Sequence, residues 1–448
     1  MNAQMDIDKR NRHWVALLAF VFITHGGLLA QDKLSAMDAV KVGLERNFNI
    51  QILRNQETIA ANNNTPGRAG MLPTIGTTGT TSYSVNSTEQ KFFTGESRGS
   101  NNASTIAFRL GLEVSWTAFD GFRMYVARDR FQTLEEQSRM RTTAEMQALA
   151  ADILLNYYDL VQLERSTENL RYAVRLDRDL LDLVENKKRI GTATGLELLQ
   201  SRARLTADSV LLVQLEADIQ RARKNFNQLL NRPVETAFSM DTTLKSGPIP
   251  PQEELLTRAF QSNPTVLINK LDRQLALLSM EDSKGAMWPE VTLQGTMNYS
   301  YQRNDVGFLL SNRNLGPTLG LTVRYTIYDG NNRKQDIANA RINEEVARLR
   351  ETDLLQAIEA QIRNRYADYV AFQQLTDLQQ LNLNVAREQA ALARELYRLG
   401  RTTNFEVREA ILQEIQAQDR WIQTIFRLKQ TEIGLLDLAG IPLYSGGQ

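Results

Sequence analysis

The chain has 448 residues, 52 basic and 52 acidic, with two histidines and no cysteine. Balanced charge gives no electrostatic case for a nucleic-acid partner. Both histidines, His13 and His25, fall in the first 30 residues, so the remainder cannot build Cys/His zinc sites, a Ser-His-Asp system or disulfides.

Residues 1–30 read as a secretory signal peptide. Lys9, Arg10 and Arg12 precede the apolar run Trp14 to Ile23, and Leu28-Leu29-Ala30 offers a cleavage point. That run is too short to span a bilayer of roughly 30 Å as a helix. No later segment approaches a transmembrane helix, so a membrane location demands a closed barrel. Residues 34–64 are expected to be one helix ending at Asn62-Asn63-Asn64. From Pro73 the period changes to two: Ile75, Thr77, Gly79, Thr81, Tyr83 and Val85 alternate with polar or small residues. Residues 86–104, polar and glycine-bearing, are expected to form a long loop. A second strand follows, with Leu110, Leu112, Val114 and Trp116 on one face and Gly111, Glu113 and Ser115 on the other.

From 121 to 188 there is no proline or glycine between the opening Gly121 and the tip, and Ala, Leu, Glu, Gln and Arg dominate; this predicts a helix of roughly 100 Å. It ends near Gly191, and a returning helix is expected over 194–230. Residues 233–250 read as a proline-bearing linker. A second set of elements follows: a helix over 251–284, a strand from Val291 to Tyr301, a polar loop around 303–316, and a strand carrying Leu319, Leu321, Val323, Tyr325 and Ile327. Long helices over 331–398 and 403–439 close the set around Gly400.

The second set echoes the first. Leu110-Gly111-Leu112 returns 209 positions later as Leu319-Gly320-Leu321, Asp120-Gly121 as Asp329-Gly330, and Gly191 as Gly400. A unit of about 200 residues is no solenoid repeat. It divides the chain into a first repeat over 31–232 and a second over 251–442, with a tail at 443–448.

Each strand has one apolar and one polar face and carries aromatics near its ends, as a tilted transmembrane strand does. Trp116 and Tyr325 occupy equivalent positions where a bilayer interface would hold them. Only four such strands are present, whereas an independent barrel needs about eight. Two copies give eight and three give twelve.

Long hairpins, paired strands, duplication and a signal peptide together resemble the TolC-type outer-membrane efflux family. The most specific segments are the tips, Lys188-Arg189-Ile190-Gly191-Thr192-Ala193-Thr194-Gly195-Leu196-Glu197 and Tyr397-Arg398-Leu399-Gly400-Arg401-Thr402-Thr403-Asn404-Phe405-Glu406. The resemblance implies an α+β membrane protein: a homotrimer with a twelve-strand β-barrel in the outer membrane on an α-helical periplasmic tunnel. It implies a passive exit duct for an efflux or type I secretion system, coupled to an inner-membrane transporter through a periplasmic adaptor, with no enzymatic activity and no cofactor.

Residue by residue, the resemblance implies a periplasmic gate or selectivity ring at Glu406 and Glu409, which share a helix face. It implies a latch from Tyr397 and Glu197. The arginine expected two positions after the second tip glycine is Thr402 here, with Arg401 as a neighbouring substitute. Arg189, Ile190, Gly191, Arg398, Leu399 and Gly400 become the adaptor-docking tips. The competing reading, a periplasmic coiled-coil scaffold, explains the helices but leaves the amphipathic strands without a purpose.

Overall fold

The computed structural model describes residues 33–243, 247–307 and 309–444; the expected signal peptide lies outside them. Ser35 opens α1 (Ala36–Arg46) with a capping box, its hydroxyl accepting from the Asp38 N–H while the Asp38 carboxylate accepts from the Ser35 N–H. The single helix expected over 34–64 is instead broken at Asn47, which takes extended backbone and starts α2 (Phe48–Asn63). The Asn47 side-chain oxygen accepts from the Asn49 and Ile50 N–H groups at 2.8 and 3.1 Å. That satisfies the otherwise orphaned donors of a new helix, so the chain turns where apolar periodicity alone runs straight through. Asn263 does the same between α5 (Gln252–Ser262) and α6 (Pro264–Gly285), splitting the helix expected over 251–284.

The strands are longer than their apolar faces. β2 (Thr74–Lys91) and β3 (Ser97–Phe119) form one hairpin, in which Thr88 pairs with Ser100 and Lys91 with Ser97 after an irregularity near Asn86. The loop expected over 86–104 is therefore mostly ladder. A strand exposed to water on both faces needs no apolar alternation, only backbone partners. The loop expected over 303–316 shrinks in the same way, because β5 (Glu290–Asn304) and β6 (Ser311–Arg324) extend into it. β6 stops at Arg324, so Tyr325 and Ile327 lie beyond the strand on which they were expected.

The sheet order is β2-β3-β5-β6, antiparallel throughout. Register keeps its two faces distinct. One row runs Ile75, Val114, Gly295, Leu319, the next Thr77, Leu112, Met297, Pro317. The opposite face carries Thr78, Gly111, Asn298 and Gly316 in one row. A one-residue slip would scramble both faces. The apolar side is uncovered: Leu112, Leu319 and Val323 are exposed. Among the described residues, the outer edges of β2 and β6 pair with nothing.

Each hairpin of strands turns into a helix of 67 residues, α3 (Arg123–Arg189) or α7 (Asn332–Arg398). At 1.5 Å per residue each extends roughly 100 Å. Gly121 makes the first of these turns with φ +76°, and a Cβ there would stand 2.2 Å from the Gly285 oxygen. The close approach fits only glycine. Arg123 then fixes the junction by donating to both Asp282 oxygens at 2.9 and 3.2 Å.

α4 (Gly195–Leu229) and α8 (Asn404–Leu438) return along α3 and α7. Apolar cores sit midway along the two hairpins, one around Ile153, Leu160 and Phe226, the other around Leu255, Ile362 and Leu435. The linker crosses the first core, where β1 (Lys33–Leu34) pairs in parallel with β4 (Ser239–Met240). Buried Tyr157 pins that crossing: its hydroxyl donates to the Leu34 carbonyl at 3.0 Å and accepts from the Asp241 N–H at 3.0 Å. No described helix is long and apolar enough to cross a membrane.

Candidate functional site at the helical tips

Both tips are built by the same local rules. α3 ends in the hydrogen bonds Thr192 N–H to Lys187 O at 2.8 Å and Gly191 N–H to Lys188 O at 3.1 Å. α7 ends in Arg401 N–H to Leu396 O at 2.8 Å and Gly400 N–H to Tyr397 O at 3.1 Å. These are glycine C-caps, and Gly191 and Gly400 take φ +78° and +71°, left-handed values that glycine reaches without penalty. Three residues later each return helix starts with a capping box. Thr194 N–H donates to Glu197 at 2.9 Å, and Thr403 N–H to Glu406 at 3.2 Å.

The boxes change what the candidate carboxylates do. Glu406 is exposed, but its carboxylate also accepts from the Thr402 hydroxyl, and those bonds hold its pKa below the ordinary range. Thr402, standing where an arginine was expected, thus buttresses Glu406. Glu409 is exposed one turn further and accepts from Gln413 at 3.1 Å. The Arg401 side chain has no hydrogen-bonded or ionic partner among the described residues.

Tyr397 is buried where the two hairpins meet, in a cluster with Leu176, Leu180, Val184, Val407 and Ile411. The Lys187 ammonium lies 3.7 Å from the Tyr397 ring centroid and donates to the Tyr397 carbonyl at 2.5 Å. Burial, then the charge of nearby Glu197, raise the Tyr397 pKa. Glu197 is thus close to Tyr397, while its carboxylate is engaged by the Thr194 cap. Arg189, Ile190, Arg398 and Leu399 stand exposed at the two ends. Beside them Leu176, Leu183, Arg394 and Tyr397 line a groove of about 350 Å³ between α3 and α7.

Above the tips, a polar seam joins α3 to α8. Ser166 donates to Asp419 at 3.2 Å, Asn169 to the Ile415 carbonyl at 3.1 Å, and Tyr172 to Glu414 at 3.1 Å. Asn169 and Glu414 are each only 3 % exposed. A second buried polar group links α3 to α4: Asp177 sits 3.5 Å from Arg204, which also reaches Asp208 at 3.5 Å.

The family described as outer membrane efflux protein matches residues 40–232 and 255–441, nearly the whole described chain and both halves of the duplication. The chain belongs to the outer membrane efflux protein family. It is 22% identical over 361 residues to the pyoverdine export outer membrane protein OpmQ of Pseudomonas aeruginosa, with 78% of this chain and 73% of OpmQ covered. Its fold is similar to the Campylobacter jejuni CmeC outer membrane channel (TM-score 0.77, 15% identity, 92% of this chain and 87% of that chain). It is likewise similar to the outer membrane protein VceC of Vibrio cholerae (TM-score 0.75, 15% identity, 92% and 96% covered). This efflux protein is accordingly a TolC-type protein of the outer membrane, from a transport family.

In this efflux protein the two candidate interface aromatics differ in setting. Trp116 lies in β3, 40% exposed, and its Nε1 donates to the Met71 carbonyl at 3.0 Å. Tyr325 is 57% exposed just past β6. Sequence reasoning missed Lys187, the α3–α8 seam and the Asp177 group. Lys187 carried a signal, since the repeat puts Leu396 at its counterpart. Thr194-x-x-Glu197 and Thr403-x-x-Glu406 were likewise readable as capping boxes.

Proposed function

We propose that this protein is the passive outer-membrane exit duct of an efflux or secretion system, closed by three copies and opened at its helical tips. The observation that carries the reading is the sheet: an uncovered apolar face, an opposite polar face and two unpaired edges. An open sheet with long bare edges invites further strands, and membranes admit strands only in closed barrels. Four strands per chain fall short of the roughly eight that close a barrel. Family membership favours three copies and twelve strands over two copies and eight. The scaffold alternative gives the apolar face no partner.

A periplasmic adaptor docking at Arg189, Ile190, Gly191, Arg398, Leu399 and Gly400 and an inner-membrane transporter complete the system. Cargo selection belongs to that transporter. Tyr397 with Lys187, and Glu197 close by, form the closure between hairpins; Glu406 and Glu409 form stacked carboxylate rings that favour cations in a narrow pore. Reconstitution into a planar bilayer tests the reading. We expect discrete, cation-selective conductance steps; a protein that inserts but gives no conductance, even with its tips loosened by substitution, argues against a duct.

A further inference from the structure

The apolar face of the sheet meets charge at one end only. Nearest the long helices its rows are Phe119, Val291 and Val323, then Trp116, Leu293 and Leu321. Farthest from them stand Thr81, Phe108, Tyr301 and Arg313, then Tyr83, Ile106, Arg303 and Ser311. From the Val291 row to the Tyr299 row this face carries no charged side chain, so Arg313 and Arg303 are its first two.

Their height matches a membrane edge. The register from Val291 to Tyr301 is unbroken, and those ten steps cover roughly 33 Å along a strand. With the tilt of about 40° usual in barrels, that is a band roughly 25 Å tall, the apolar height of a barrel wall. Aromatic rings gather at the same level. Phe108 meets Tyr299 edge to face with centroids 6.2 Å apart, and Tyr83 is exposed. Such rings mark the level where hydrocarbon gives way to headgroups.

The fold decides which leaflet this is. α3 and α7 leave the sheet beyond Phe119 and Arg324, at the Val291 end. With the helices in the periplasm, the arginine end reaches the outer leaflet. An arginine that merely reaches from hydrocarbon to water serves equally at either edge. Here both stand at one edge, and the other closes on Trp116, Val291 and Val323.

The two arginines are arranged to share an anion. Arg313 lies opposite Tyr301 and Arg303 opposite Ser311, so they are diagonal neighbours, with Cα atoms about 7–8 Å apart. Both are exposed, and neither has a hydrogen-bonded or ionic partner among the described residues. The carboxylate of Asp305, two residues beyond Arg303, accepts from the Ser104 hydroxyl. Two like charges this close repel, and an anion held between them reverses the sign. Guanidinium forks match phosphate oxygens in pairs, and beside hydrocarbon the attraction is stronger than in bulk water.

We infer that Arg303 and Arg313 form a binding site for the phosphate groups of an outer-leaflet glycolipid, whose acyl chains lie along the rows of Leu110, Tyr299 and Leu315. The inference rests on the membrane reading of the sheet and names the lipid that this end of it takes.

The test uses the full-length protein, purified and freed of lipid. It is titrated with bis-phosphorylated lipid A, with phosphate-free lipid A and with phosphatidylglycerol, and bound lipid is counted by native mass spectrometry. We expect bis-phosphorylated lipid A to bind roughly tenfold tighter than the other two, and Arg303→Gln/Arg313→Gln to abolish that preference. Should that variant fail to fold, Arg303→Lys/Arg313→Lys keeps both charges without the forks and should weaken the preference about threefold or more. A preference unchanged in the variant that folds overturns the inference. Equal binding of phosphatidylglycerol by the parent also overturns it, leaving a general anchor for anionic lipid. Liposome insertion of the parent separates the causes. A parent that inserts but shows the wrong preference loses only this site, whereas one that alkaline carbonate strips from liposomes removes the membrane reading and the site with it.

Discussion

The Lys187 ammonium sits 3.7 Å from the centroid of the Tyr397 ring and 2.5 Å from the Tyr397 carbonyl oxygen. One side chain thereby ties the end of α3 to the end of α7 and supplies positive charge at a helix C-terminus, where it is favoured. Lys187 is half-buried, and a cation–π contact in such a setting is worth about 1 kcal/mol, roughly a factor of five in an equilibrium. Lys187→Met should therefore raise the open probability of reconstituted channels several-fold with assembly unchanged. An unaltered open probability would remove Lys187 from the closure.

The two carboxylates proposed for the pore need different substitutions. Glu406→Ala removes both the charge and the capping box, and losing a cap typically costs about 1 kcal/mol. Gln serves in a capping box as well as Glu. Glu406→Gln with Glu409→Gln should keep the thermal midpoint within a few degrees while lowering cation selectivity and relieving block by multivalent cations from the periplasmic side. Block that persists in the double variant would place the binding charge elsewhere.

Asp177 gives the tip region a pH dependence. Burial, then the hydrogen bond that the protonated Asp177 carboxyl donates to Asp208, push it up to about 7 despite the Arg204 guanidinium 3.5 Å away. In the unfolded chain an aspartate ionises near 4. Between those values the native state holds a proton that the unfolded state has lost, so this group's contribution to stability falls as pH rises from about 4 to about 7 and is level above. Asp177→Asn should flatten that part of the profile. The readout is the change in thermal midpoint between pH 5 and pH 8, expected to be smaller in the variant; an identical change would contradict the assignment.

Gly400 separates conformation from docking. Nothing lies within 4 Å of a Cβ added there, so substitution meets only the left-handed backbone, which costs other residues roughly 1–2 kcal/mol. Asn tolerates that region well. Gly400→Asn should assemble and export normally, whereas Gly400→Trp should assemble and lose export if the adaptor seats on this tip. Normal export by the tryptophan variant would move the docking surface away from Gly400.

Much of the architecture was legible because it follows from periodicity. Period two marked Ile75 to Val85 and Leu110 to Trp116, the glycine-poor stretches marked α3 and α7, and the 209-residue echo linked them. What was lost lay where polar side chains decide. Asn47 and Asn263 break helices by hydrogen bonding to backbone, which apolar spacing does not register. Thr88 to Lys91 extend a ladder without any apolar face. At the tips, the glycines and carboxylates were visible, but Glu406 and Glu197 looked free until their capping boxes were seen. The Tyr172–Glu414 contact joins residues 242 apart in sequence, and no local pattern announces it.

The exit-duct reading requires separate chains to complete one another's open sheet. The most direct measurement is a count of the chains in the particle extracted intact from the outer membrane, by native mass spectrometry in detergent. Three chains per particle is the expected result. A folded particle of a single chain, its β2 and β6 edges still bare, would contradict the account.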